Sequence, residues 1–252
     1  FTLNEPYAPF LSNLAYPTGL IVSPAGVKKH GKDFGRNPSG TGAFKFKEWK
    51  SNERVVVDKN SSYWDGKAAS DAVVFRPITD ANTRVAEMLS GGIDMMVEVP
   101  PASLSKFGGS KFSIVEQAGP HVWFLILNAK EGPFANKKVR QAANYAINKQ
   151  AIVNDVLEGT AAIAAGPTPP AFAWAYNNSL QPYPYDPAKA KALIKEAGVE
   201  GAKLTFYVTE GGSGMLDPVA MGTAIQADLK AVGFDVEIKT FEWNSFLSLI
   251  HI

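Results

Sequence analysis

The stretch LTFYVTEGGSGMLDPVAMGTAIQADLKAVGFDVEI, residues 204–238, decides the fold class. Leu204, Phe206 and Val208 alternate with polar or smaller neighbours, the period of a half-buried strand. Asp217-Pro218 is a capping carboxylate followed by proline at the first helical position. Met221, Ile225, Leu229 and Val232 keep a helical period, and Gly233 ends it. Phe234, Val236 and Ile238 then alternate again. A strand, a helix and a strand with short connections form a parallel pair with a right-handed crossover. The chain is therefore α/β.

The same grammar extends upstream. Asp186-Pro187 opens a helix whose stripe is Ala190, Leu193, Ile194 and Ala197, closed by Gly198. Asn136 is placed to cap one long helix reaching Glu158, with Val139, Ala143, Ala146, Val153 and Leu157 in period and Gly159 as its stop. His121–Asn128 (HVWFLILN) reads as a buried strand. Asp71–Ile78 (DAVVFRPI) reads as a strand, Asp80 caps a short helix ending at Gly91, and Ile93–Val97 reads as a returning strand, a second β-α-β unit. Ser113–Glu116 is a further candidate strand. Phe44–Lys47 and Val55–Asp58 alternate around a Lys50–Glu53 turn, the pattern of a hairpin. Prolines 6, 9, 17, 24 and 38 forbid long helices in residues 1–43. Two α/β halves result, with the break near Gln117–Pro120, where Gly119-Pro120 cannot continue strand pairing.

Composition narrows the function. The 252 residues are 46% hydrophobic and 19% charged, enough for a packed core and too apolar for disorder. Lys+Arg 25 against Asp+Glu 24 leaves +1, which argues against a nucleic-acid surface. The longest apolar run, Val122–Leu127, falls far short of the roughly 20 residues a membrane span needs. Cysteine is absent, so disulfides, thiolate nucleophiles and Cys-based metal sites are excluded. The three histidines, His30, His121 and His251, are scattered, and no HExxH is present. No GxSxG elbow or nucleophile–base order occurs. The chain begins at Phe1, which fits a processed protein or a piece of a longer one.

Two places fit ligand chemistry. Parallel sheets bind ligands outside the carboxyl ends of their strands. There, Thr209–Leu216 carries Gly211, Gly212 and Gly214, which permit close backbone approach. Met215 and Leu216 would add apolar walls. The segment is not a phosphate loop, since no Lys-Ser/Thr follows the glycines. It also reads as an ordinary strand-to-helix loop. His121 and Trp123 share a face at the junction of the halves, where clefts form. They also read as an edge histidine and a core tryptophan. Trp174 and Tyr176 sit in a proline-rich loop (GPTPPAFAWAY) that they either pack down or open to a ligand. The residues alone lead to a two-lobed α/β binding protein.

A resemblance carries the reading further. Pro38-Ser39-Gly40-Thr41-Gly42-Ala43-Phe44 resembles the PxGTGPF segment of the solute-binding proteins for dipeptides, oligopeptides and nickel that serve ABC importers, the family 5 extracellular solute-binding proteins. Asn60-Ser61-Ser62-Tyr63-Trp64 resembles their N..YW turn, and Ser90-Gly91-Gly92-Ile93-Asp94 their sGeiD step. Leu127-Asn128, Pro133–Ala142 and Tyr145–Asn148 resemble lN…PF.d.rVRqA…yAid. Tyr185–Ala190 resembles YDPekAk, and Ile225–Leu229 with Glu242-Trp243 resembles iqadL…ew. These segments lie in register over nearly the whole chain.

The resemblance implies a partial two-lobed periplasmic-binding-protein fold of the larger, peptide-binding type, an internal fragment of a full-length member. Residues 1–118 would belong to the first lobe and 119–252 would begin the second. It implies a receptor that captures a peptide-like or other small polar solute between lobes and delivers it to an ABC importer permease. Such a protein is a periplasmic or membrane-anchored extracellular monomer, reaches the membrane only through the permease, and needs no nucleic acid, catalytic residue, metal or cofactor. The alternative is the ligand-sensing domain of a transcription regulator on the same fold. The expected ligand residues are His121, Trp123, Trp174, Gly212, Met215 and Leu216, with glycine N–H groups as donors. Dipeptide-type members carry an arginine in the loop that here spans Gly211–Asp217, and this chain has no cation there. That favours a neutral ligand, a longer peptide, an opine or a sugar conjugate over a dipeptide.

Overall fold

The computed structural model describes residues 1–212 and 214–250, without the side chain of Ile250. Ser213 of the glycine loop and His251 lie outside the described residues. Two compact units are present, Phe1–Thr79 and residues 80–252.

The first unit is short helices and a hairpin sheet. Helices α1 (Phe10–Leu14) and α2 (Pro24–His30) are brief, as the prolines require. Ser23 caps α2 by accepting the Gly26 N–H at 3.1 Å. Strands β1 (Phe44–Lys50), β2 (Arg54–Lys59) and β3 (Ala72–Phe75) form an antiparallel sheet in that order. Asn52, at φ +59°, turns the β1–β2 hairpin. Buried Asn60 locks its end: Nδ2 donates to the Gly42 carbonyl at 2.9 Å, and Oδ1 accepts the Ser62 N–H at 3.1 Å.

The second unit opens with α3 (Ala81–Ser90), capped by Asp80 through the Thr83 N–H at 2.7 Å and closed by Gly91 at φ +81°. The expected β-α-β unit around it does not form. β3 pairs antiparallel with β2, and residues 93–97 make no strand. Residues 113–116 and 121–128 make none either. In the last case the strand period survives without the strand: Trp123, Leu125 and Leu127 are half-buried, while Phe124 (73%) and Ile126 (67%) are exposed. A strand exists only when a neighbour accepts and donates along its edge, and no described residue does so for 121–128. The segment is therefore not the buried strand its composition predicts.

The helix expected over residues 136–158 is broken. Helix α4 (Lys137–Ala146) starts at Asn136, whose side chain accepts the Lys138 N–H at 2.9 Å. Ile147 then turns extended, with ψ 119°. The Asn148 N–H donates to Asp228 Oδ2 at 2.8 Å, and its side chain accepts the Ala151 N–H at 3.0 Å. Asn148 thus recaps the chain, starting α5 (Lys149–Ala151), which widens into a π turn at Ile152–Val156. A tertiary bond to a distant aspartate overrides a continuous apolar period.

The remainder follows the sequence closely. Helices α6 (Pro187–Glu196) and α7 (Pro218–Ala231) begin at Asp186 and Asp217, which accept the N–H groups of Lys189 at 2.9 Å and Ala220 at 3.1 Å. Strands β4 (Lys203–Thr209) and β5 (Asp235–Phe241) pair in parallel, Lys203 opposite Asp235 through Thr209 opposite Phe241. Helix α8 (Trp243–Ile250) follows β5. The core joins Val139, Ala142, Ala143 and Ala146 of α4 to Ala190 and Ile194 of α6, and includes Ile225, Leu229, Val232, Phe234 and Val236. Alanines on α4 and α6 let the two helices approach closely around the larger Val139 and Ile194.

Gly222 sets the spacing of α7 on β4. A Cβ there would fall 2.7 Å from Val208 Cγ2, and Val208 is buried. Gly222→Ala is expected to destabilise the protein by about 1–3 kcal/mol in urea unfolding. Gly211→Ala, with no atom within 4 Å of the new Cβ, is expected to leave stability near that of the parent. A second expectation concerns acid. Hydrogen bonds hold several carboxyls below their ordinary values: Glu48 by Arg54, Asp71 by Lys59, Asp80 by Thr83, and Glu242 by Asn244 and Ser245. A carboxyl depressed in the folded state adds stability above its unfolded value and loses it as pH falls through its folded value. The urea midpoint should therefore not respond to these groups between pH 7 and 5, and should fall below about pH 4.

Candidate functional site

The carboxyl ends of β4 and β5 lie side by side, because the strands are parallel and in register to Thr209 and Phe241. Beyond β4 the chain enters the loop 210–217, and beyond β5 it enters Glu242 and α8. The Glu210 N–H donates to the Phe241 carbonyl at 3.0 Å, which prolongs the ladder one step. Glu242 caps α8: its carboxylate accepts from the Ser245 N–H at 3.0 Å and the Asn244 side chain at 2.9 Å. This fixes where Trp243 stands.

The loop is packed on both sides of its tip. A Cβ on Gly212 would fall 2.9 Å from Met215 Sδ and 2.9 Å from Trp243 Cε3. Met215 is drawn back under the loop: its N–H donates to the Gly212 carbonyl at 3.0 Å, and Thr209 Oγ1 donates to its sulfur at 3.3 Å. Gly214 sits at φ +74°, where glycine alone is unstrained, and a Cβ there would fall 2.9 Å from His121 Cδ2. The Trp123 indole Nε1 donates to the Gly214 carbonyl at 3.2 Å. The Gly214 N–H donates to Glu98 Oε1, also at 3.2 Å.

Five of the six residues expected from the sequence are placed at or beside this loop. His121 and Trp123 meet Gly214. Gly212 and Met215 touch each other. Leu216 packs against the main core from the loop's inner side, so its role as an exposed wall is limited. Trp174 is not brought to this group by any contact among the described residues: it is 88% exposed and its ring meets Phe172 edge-on at 6.4 Å. Glu98, Thr209 and Trp243 join the group without having been expected there. Trp243 follows β5, a position that could have marked it. Glu98 directly follows residues 93–97, which read as a strand and form none, and nothing in that reading points to it.

Electrostatically the loop is acidic. Glu98, Glu210 and Asp217 surround it, and residues 209–217 contain no cation. Asp217 also occupies the N-terminus of α7 with its own carboxylate, where an anion would otherwise bind. Of the glycine N–H groups expected as donors, that of Gly214 is already engaged by Glu98. The loop therefore suits an ammonium, amide or apolar group better than a carboxylate. Two open surface hollows lie elsewhere. One of about 410 Å³ is bordered by Lys191, Lys195 and Lys230, and one of about 530 Å³ by Lys47, Glu48 and Arg54. Neither is lined by a residue of the loop. Among the described residues no group of His, Asp and Glu could hold a metal ion, and no helix is long and apolar enough to cross a membrane.

Comparison with known proteins agrees with this architecture. The glutathione-binding protein GsiB of Salmonella paratyphi A is 40% identical over 210 residues, covering 82% of this chain and 40% of that protein. The Helicobacter pylori ABC transporter-associated periplasmic binding protein DppA, solved with the peptide STSA, superposes with a TM-score of 0.86 at 34% identity, covering 98% of this chain and 48% of that one. A dipeptide-binding protein from Pseudoalteromonas, solved with Met-Leu, gives a TM-score of 0.81 at 26% identity, covering 96% and 49%. The fold is thus that of part of a peptide-type periplasmic binding protein, and the chain spans about half the length of the relatives it matches. The sequence profile of the bacterial extracellular solute-binding proteins, family 5 middle region, matches residues 1–251, and with that span the chain belongs to the family.

Proposed function

We propose that this chain is part of an extracytoplasmic solute receptor that captures a peptide-like or other small polar solute between two lobes and delivers it to an ABC importer permease. Residues 1–118 belong to the first lobe and 119–252 begin the second. Among the described residues the main core draws on none before Leu125, whereas by compactness the chain divides earlier, between Thr79 and Asp80. The receptor is a monomer in the periplasm or tethered outside the membrane, meets the membrane through the permease, and does no covalent chemistry. The observation that carries the reading is the family match over residues 1–251. The alternative of a regulator's sensing domain is not supported: the relatives named above are binding proteins.

The site consists of the loop 210–217 with His121, Trp123, Gly212, Met215 and Trp243, and Trp174 stands exposed on a separate loop. Closure follows from the ligand's better contacts with the closed state. Glutathione, which the Salmonella relative is named for binding, carries two carboxylates and one ammonium. At an acidic loop the ammonium or the neutral middle of such a peptide is the part that docks, held by backbone groups and apolar walls.

Mass spectrometry of solute released by denaturing the freshly purified full-length protein tests this, followed by calorimetry with glutathione, Met-Leu and Ser-Thr-Ser-Ala. The expected result is a released peptide-like solute and saturable heats for at least one of the three. No released solute and no heat with any of them would overturn the reading. The loop geometry adds a stability expectation. Gly214→Ala forces alanine to φ +74° against His121, and should cost about 1–3 kcal/mol. Pairing it with His121→Ala should recover the steric part and leave the backbone part, as read by denaturant unfolding.

A further inference from the structure

We propose that Glu98 is a positioning residue that presets the tip of the 210–217 loop before ligand arrives. The inference rests on the reading of that loop as ligand-facing. Its first support is that both backbone groups of Gly214 are taken by side chains from remote parts of the chain. The N–H goes to Glu98 Oε1 and the carbonyl to Trp123 Nε1, each at 3.2 Å. A glycine in a loop is the residue with most freedom to lose. Here it is held from two sides, with the His121 ring packed against it.

The second support is the backbone of Glu98 itself. It adopts φ +57°, a region that residues other than glycine seldom enter. Its neighbours favour the opposite. Val97 and Val99 are β-branched and prefer extended backbone, and Pro100 pushes Val99 further that way. Among the described residues two other non-glycine positions have positive φ, and each has a local reason. Asn52 turns a hairpin, and Glu158 precedes Gly159 just past the end of the π turn Ile152–Val156. Glu98 is in neither a hairpin nor a helix end. Such a conformation persists only where the surroundings over-determine it, and here it accompanies the placing of the carboxylate on the loop. At 3.2 Å and open to solvent, the bond lies at the long end of the amide–oxygen range, and its role is to place the loop.

The consequence is a bias in what the loop accepts. With Glu98 in place, the Gly214 N–H is closed to a ligand carboxylate and a negative charge stands beside the tip. A ligand meets a loop already in shape and loses less freedom on binding it.

The test uses Glu98→Gly and Glu98→Gln in the full-length protein. Glycine relieves the backbone conformation and deletes the acceptor, while glutamine keeps an acceptor oxygen. Amide hydrogen exchange at Gly214 and glutathione calorimetry are the readouts, with melting temperature as control. Glu98→Gly should speed Gly214 exchange and weaken glutathione binding, each by about tenfold, at an unchanged or raised melting temperature. Glu98→Gln should hold both near the parent. Parent-like exchange in Glu98→Gly, or equal loss in both variants through a lowered melting temperature, would overturn the proposal. A parent protein that binds no glutathione or peptide would sink the ligand reading, and Gly214 exchange would still decide the role of Glu98.

Discussion

The parallel ladder between β4 and β5 is the constraint on which the second unit depends. Parallel pairing forces the chain to return along a crossover, here α7, and brings two carboxyl strand ends to one edge. The crossover fits only because Gly222 lets α7 settle onto Val208. Two segments sit beyond that edge: the loop 210–217 after β4, and Glu242 with Trp243 after β5. The ladder thus explains why Gly212 and Trp243, on either side of a whole helix and strand, become neighbours.

The core beneath the ladder gives that edge a rigid base. Alanines on α4 and α6 allow close helix packing, and Val139 and Ile194 fill the space with no exposure. Each such side chain contributes about 1.5–3 kcal/mol on burial. A packed core thus lies below the edge, and a glycine-rich loop lies above it. The exposed ion pairs, such as Lys47 with Asp58, add little to this.

Charge at the loop has the opposite character from the usual anion-binding helix start. Asp217 satisfies the first turn of α7, Glu98 satisfies Gly214, and no lysine or arginine is present in residues 209–217. The nearby groups that could soften this, His121 and Trp123, instead fix the loop's position. The edge therefore presents backbone groups and negative charge, without a cation in residues 209–217.

Much of the architecture is legible in the residues. Asp80, Asn136, Asp186 and Asp217 each announce a helix start, Gly91 and Gly233 the ends, and Leu204–Val208 with Phe234–Ile238 the parallel pair. These signals are local, and local hydrogen bonds honour them. The loop's glycines are legible too, from strand direction, whereas the strand that would place His121 and Trp123 on one face does not form. What escapes such reading is everything that needs a distant partner. Residues 121–128 keep the strand period but have no described neighbour to pair with. The helix through Ile147 breaks because Asp228 draws the Asn148 N–H away. Glu98 contacts Gly214 from 116 positions away, and the strand predicted just before it gives no hint of the contact. Caps, periods and turns are settled within a few residues, so the residues alone suffice to read them. Strand pairing, the helix break and the bracket on Gly214 each depend on a group that proximity along the chain does not supply, and they become visible only once the chain has folded.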